Sequence, residues 1–149
     1  MRVVLQRVSE ARVRVEGETV GEIGPGLVLL VAFRETDDAK VLEWMAEKCL
    51  DLRVFGDDEG LMNRSLRDRG GGILAVSQFT LYGNCRKGRR PSFVASAPAE
   101  QAARLYEQFM DLLRARHEPV AAGVFQAKME VDLVNDGPVT LILDREAGD

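Results

Sequence analysis

The chain has 149 residues, enough for one domain with its own core and too few for two. Its net charge of −4 excludes a protein that binds nucleic acid over its whole surface, so any polyanion contact has to be local. No apolar run reaches the ~20 residues of a membrane-spanning helix, and an apolar content of 46% suits a folded soluble domain rather than a disordered chain.

The opening stretch MRVVLQRVSEARV reads as a strand. It lacks the apolar core and small-residue cleavage site of a signal peptide, so the expected location is the cytoplasm. Val3 to Val8 is apolar apart from Gln6 and Arg7. Ala11, Val13 and Val15 then alternate with Arg12, Arg14 and Glu16, the pattern of a half-buried strand. Gly17 begins a turn, Val20 to Ile23 is a short strand, and Gly24-Pro25-Gly26 is a second turn. Leu27 to Phe33 is continuously apolar and reads as a buried central strand.

Thr36-Asp37-Asp38 opens a helix that ends near Arg53, with Val41, Met45, Cys49 and Leu52 on one stripe. Gly56 to Gly60 is a turn, and residues 61–72 read as a loop. Ile73 to Leu81 is the next strand, and residues 83–97 are a polar, basic loop. Pro98 starts a second helix, to about residue 116, on the stripe Ala102, Tyr106, Phe109 and Leu113. Val120 to Phe125, Met129 to Val134 and Val139 to Leu143 are three further strands, and Arg145 to Asp149 is a frayed tail. Strands and helices do not alternate regularly. The expected fold is therefore a single α+β domain, with a mainly antiparallel or barrel-like sheet and two packed helices.

Two cysteines, Cys49 and Cys85, make no disulfide framework. With His117 the only histidine, a His/Cys zinc site would need nearly all three residues, at a spacing that fits no metal motif. No metal and no cofactor are expected. His117 falls at a helix C-terminus, where a cation suits the dipole, and Cys49 falls on the core stripe. Cys85 lies in the basic loop and has no evident base partner.

Three segments carry possible chemistry. Ser77-Gln78-Phe79-Thr80-Leu81 ends a strand, with Gln78 and Thr80 on a face that changes from apolar to polar. It is either the rim of a site or a strand emerging into solvent. Arg86, Lys87, Arg89 and Arg90 place four cations in five positions, flanked by Tyr82 and Phe93. That is a solvated loop, or a phosphate contact with aromatic rings for base stacking. Asn135-Asp136-Gly137-Pro138-Val139-Thr140 has the chemistry of a tight turn. Arg7 is an isolated charge in an apolar strand and has to reach solvent, backbone carbonyls or a carboxylate.

Together, SQFTL at 77–81, RPSF at 90–93 and NDGPVT at 135–140 resemble the bacterial D-aminoacyl-tRNA deacylases. QRV at 6–8, GEIG at 21–24 and Met62-Asn63 match that family too, so the likeness runs from Met1 to about Leu143. The resemblance implies hydrolysis of the ester between a D-amino acid, or glycine, and the terminal adenosine of tRNA, with L-aminoacyl esters rejected. It implies a homodimer with active sites at the subunit interface, where a cis Gly137-Pro138 enters the partner's site and its backbone excludes an L side chain. By the same likeness Ser77, Gln78, Phe79 and Thr80 position the ester and stabilise the oxyanion, and assistance by the substrate's ribose hydroxyl ranks above a covalent Thr80 intermediate. Arg7 and Asn135 support the Gly-Pro loop. Phe125 and Met129 form an adenine pocket. Arg86, Lys87, Arg89 and Arg90 meet tRNA phosphates. The competing expectation is a noncatalytic RNA-binding domain that uses the basic loop.

Overall fold

Alternating apolar side chains build β1 (Arg2–Val15), the strand on which the sheet is assembled. Val3 and Leu5 face one core, whereas Val8, Ala11 and Val13 face another. The inward face therefore changes between residues 5 and 8, and half-buried Arg7 sits at that break. In chain order there follow β2 (Glu18–Ile23), β3 (Gly26–Ala32), α1 (Ala39–Asp51), β4 (Phe55–Gly56) and β5 (Met62–Arg64). Then come α2 (Leu66–Arg69), β6 (Gly72–Ser77), a single 3₁₀ turn over Phe79–Tyr82, α3 (Ala99–Arg116), β7 (Val120–Ala122) and β8 (Glu130–Asp144). The computed structural model describes all of residues 1–149.

One edge of β1 is shared, its first half pairing with β3 and its second half with β2, both antiparallel. Along the other edge β8 runs antiparallel over nearly the whole length, from Arg2↔Asp144 to Arg14↔Glu130. β3 and β6 pair in parallel, as do β6 and β7, so the sheet is mixed. β2 then comes back against β7. A Cβ on Gly21 would lie 2.6 Å from the Ala122 carbonyl oxygen, so the two edges almost close a barrel.

Both expected helices form and pack on the sheet. Asp38 caps α1 by accepting from the Val41 amide at 3.0 Å. Met45, Cys49 and Leu50 of α1 and Phe109 and Leu113 of α3 are fully buried in the larger core. Burial of this kind contributes about 1.5–3 kcal/mol per large aliphatic side chain. It also pushes the Cys49 thiol up to about 12, which makes it inert. On the surface, Arg116 bridges Glu43 and Glu47 while Arg67 bridges Glu47 and Asp51, which ties α1, α2 and α3 together. Those two guanidiniums hold the Glu47 carboxyl below its ordinary range.

Four expectations are corrected. Residues 61–72 are not a plain loop, because they hold β5 and the short α2. Ser65 and Asp68 there cap each other's backbone amides reciprocally. The strand expected to reach Leu81 stops at Ser77, and the chain turns after the Gln78 amide meets the Val31 carbonyl at 2.7 Å. Met129 to Val134 and Val139 to Leu143 are one strand, β8, with Asn135–Pro138 as an irregularity inside it rather than a turn between strands. The tail is tied down at its start. The Met1 ammonium donates to the Arg145 carbonyl and to the buried Asp37 carboxylate, each at 2.7 Å, and Glu146 pairs with Arg34.

Candidate active site

Where β6 ends, the chain can no longer alternate across the sheet, and it winds into the turn Phe79–Tyr82. Its first residue, Phe79, lines a cleft of about 780 Å³, whereas Thr80, Leu81 and Tyr82 do not. Ser77, Gln78 and Phe79 face Phe93 and, from the segment before β8, Phe125 and Met129. The lining is mostly apolar with few polar groups, the usual make-up of a small-molecule site. The Gln78 side-chain amide donates to the Thr80 hydroxyl at 2.5 Å. The Ser96 hydroxyl donates to the Phe79 carbonyl at 3.0 Å and holds the turn against the loop that follows it.

Tyr82 was expected beside the basic run as a stacking ring, and the structure withdraws it. Its side chain is buried, with the Arg34 and Arg2 guanidiniums 4.8 and 5.1 Å from the ring centre. Arg2 also donates to the Leu81 carbonyl at 3.0 Å and is itself held by both oxygens of Asp144. The far end of the turn is thereby fastened to the end of β8. Burial pushes the phenols of Tyr82 and Tyr106 up to about 12, against the opposing pull of Arg34 and Arg114 respectively. A phenol whose folded-state value is raised contributes stability that is complete below its unfolded value of about 10 and lost as pH rises through about 12. These are the chain's only tyrosines. Tyrosinate absorbance is thus expected to stay low to well above pH 10, and to appear together with loss of folded circular dichroism near pH 12.

Arg7, Asn135, Gly137 and Pro138 form a second cluster. Arg7 Nη1 donates to the Val54 carbonyl at 2.6 Å and Nε to the Asp136 carbonyl at 3.1 Å. The Asn135 side-chain amide donates to the carbonyls of Arg7 (2.9 Å) and Val139 (3.0 Å), and its oxygen accepts from the Thr140 hydroxyl at 3.1 Å. The Gly137-Pro138 bond is cis, and both residues are exposed. None of the four lines the cleft of its own chain.

Arg86, Lys87, Arg89 and Arg90 stand on a finger whose base is closed by paired backbone bonds between Asn84 and Ser92, at 2.8 and 3.0 Å. All four are exposed. His117 caps α3, as expected, and its Nε2 bonds to the Gly71 carbonyl at 2.7 Å. Sequence reasoning missed Ser96, Arg2 and Asp144, whose partners lie 17, 79 and 142 positions away. It also missed Gln126, which lines the cleft with a positive φ of 65° that no residue pattern signals. No helix is long and apolar enough to cross a membrane.

The likeness to known proteins extends over nearly the whole chain. Residues 4–144 match the family model described as D-Tyr-tRNA(Tyr) deacylase. A D-aminoacyl-tRNA deacylase of Pelobacter propionicus is 57% identical, over 97% of this chain and all of its own length. The D-aminoacyl-tRNA deacylase of Geobacter sulfurreducens is 56% identical, over 99% of this chain and 97% of its own. Among solved structures, a c-Myc DNA unwinding element binding protein superposes with a TM-score of 0.93 at 42% identity, over 99% of this chain and 100% of its own. A probable eukaryotic D-amino acid tRNA deacylase, at 24% identity and a TM-score of 0.81 over 97% of this chain and 98% of its own, shares the fold. The chain belongs to the D-Tyr-tRNA(Tyr) deacylase family.

Proposed function

We propose that this enzyme hydrolyses the ester of D-aminoacyl-tRNA, and of glycyl-tRNA, and spares L-aminoacyl esters. The observation that carries the reading is the cleft, which sets Ser77, Gln78 and Phe79 opposite Phe125 and Met129. A flat apolar pocket at Phe125 and Met129 suits the terminal adenine. The opposite wall then meets the ester. Amides at the start of a turn have no acceptor within it, so those of Phe79 and Thr80 are free to stabilise the developing oxyanion. Water attacks the carbonyl carbon, the bond to the ribose oxygen breaks, and that oxygen leaves with a proton. The vicinal ribose hydroxyl assists this transfer, because Thr80 has Gln78 as its neighbour and no general base.

Selection by chirality is assigned to Gly137 and Pro138, reaching the cleft from a second copy of the chain. Two observations support that arrangement. The loop is exposed and lies outside the cleft of its own chain, and Arg7 and Asn135 brace it from behind. β8 is also a long edge strand whose Val134, Leu141 and Ile142 are exposed, a surface that calls for a partner. A homodimer acting on aminoacyl-tRNA in the cytoplasm follows from this reading, with Arg86, Lys87, Arg89 and Arg90 meeting the RNA backbone.

The test is hydrolysis of matched D-tyrosyl-, L-tyrosyl- and glycyl-tRNA by the purified protein. The expected result is rapid loss of the D ester and the glycyl ester with the L ester intact. Binding of tRNA with no hydrolysis of any ester would overturn this reading in favour of a noncatalytic nucleic-acid-binding protein.

A further inference from the structure

Most arginines outside the finger are neutralised locally. Nine arginines of the body lie within 4.0 Å of a carboxylate. The finger between Asn84 and Ser92 is different, because Arg86, Lys87, Arg89 and Arg90 meet no carboxylate there and remain in solvent. Uncompensated cations on an acidic molecule focus its attraction for anions at one place.

Immediately after the finger the chain forms an apolar lip. The Phe93 ring stands edge-to-face against Phe79, with centres 5.1 Å apart and planes at 72°. The Ser96 amide donates to the Phe93 carbonyl at 3.0 Å, and the Ser96 hydroxyl fastens the turn that carries Phe79. Val94 beside them is 91% exposed and Phe79 is 57% exposed, although both line the cleft. Apolar surface held open between a pocket and four free cations has one natural complement. A single strand of nucleic acid presents a π-face and a phosphate with every residue. Within a duplex the faces are stacked on their neighbours, and the surface offers phosphate and groove edges.

We propose that Phe93 and Val94 form a second nucleotide subsite, which takes the penultimate base of the substrate's single-stranded 3′ end while the finger neutralises the phosphates that follow. The proposal rests on the deacylase reading and adds what that reading leaves open: recognition begins with a dinucleotide, and the finger reads flexible strand rather than paired stem.

The experiment compares D-tyrosyl esters of adenosine, of the dinucleotide cytidylyl-adenosine, and of whole tRNA. Stacking of one more base is expected to raise kcat/KM about 5- to 150-fold from the adenosine ester to the dinucleotide ester. Phe93→Leu keeps the apolar volume without the ring and is expected to remove most of that gain. Val94→Asp changes a side chain too exposed to affect folding and is expected to reduce the gain by placing a negative charge beside the strand. On whole tRNA, four phosphate contacts give a slope of about −3 for log(kcat/KM) against log salt, or roughly 50-fold between about 50 and 200 mM. Arg86→Ser with Arg89→Ser is expected to halve that slope. Equal rates on the adenosine and dinucleotide esters, or a gain that survives both Phe93→Leu and Val94→Asp, would overturn the subsite. Failure of the wild-type protein on every D ester would instead overturn the deacylase reading beneath it.

Discussion

Replacing Gly137 by alanine is expected to lower D-aminoacyl ester hydrolysis by about 100-fold, the scale on which a misplacement of about 1 Å acts. Gly137 has a φ of +120°, a region that L side chains rarely occupy. The added methyl would lie 2.7 Å from Arg7 Nη2 and 3.1 Å from Val139 Cγ2. Arg7 cannot retreat freely, because Nη1 holds the Val54 carbonyl at 2.6 Å and Nε holds the Asp136 carbonyl. The loop therefore moves, and its carbonyls move with it. The cluster is exposed at Gly137, so the loss of fold stability is expected to be the smaller effect, about 1–3 kcal/mol. Steady-state kinetics on D-tyrosyl-tRNA, with a thermal melt as control, check it. Wild-type kcat/KM in the folded variant would mean that this loop has no part in the reaction.

Gly26→Ala should damage the fold itself. Strands β3 and β6 begin their parallel pairing at Gly26↔Gly72. A Cβ at residue 26 would lie 1.9 Å from the Gly72 oxygen and 2.7 Å from its nitrogen. Those are backbone atoms with no rotamer to escape into, so the two strands must part where the pairing starts. The expected cost is more than about 3 kcal/mol, or a melting temperature lower by roughly 6–12 °C for a domain of this size. Gly24 serves as the control, since a Cβ there meets nothing within 4 Å. Gly24→Ala is expected to stay within about 0.5 kcal/mol of wild type. Urea melts of the two variants decide the matter, and similar midpoints would show that β3 and β6 can separate without harm.

The α+β barrel-like domain was legible because its main elements carry strong periodicity. Alternation from Ala11 to Val15 and the stripes of α1 and α3 are local patterns, and tertiary packing agreed with them. The failures also have local causes. Apolar residues continue past Ser77, so nothing in the side-chain pattern marks the point where Gln78 breaks away from the sheet. Asn-Asp-Gly-Pro has strong turn chemistry, yet β1 supplies partners on both sides of it, and β8 runs on through the irregularity. A four-residue helix has no stripe at all, and only the spacing of Ser65 and Asp68 announces α2. In the candidate site, SQFTL was found as a motif and Phe125 and Met129 through the family likeness; Ser77, Gln78, Phe79, Phe125 and Met129 line one cleft, whereas Thr80 and Leu81 lie outside its lining. The fastening of Tyr82 by Arg2, Arg34 and Asp144 was not found, because no local pattern records pairings between such distant positions.

The long pairing of β8 with β1 also sets an order in time. Arg2 and Asp144 are 142 positions apart, and their strands cannot meet until nearly all of the chain between them has been synthesised. Contacts of such sequence separation are slow to close and form late. A nascent chain that has already made the SQFTL segment therefore lacks both the tie on its turn and the Gly-Pro loop. The turn after β6 is thus fastened, and the sheet completed, only with the last strand.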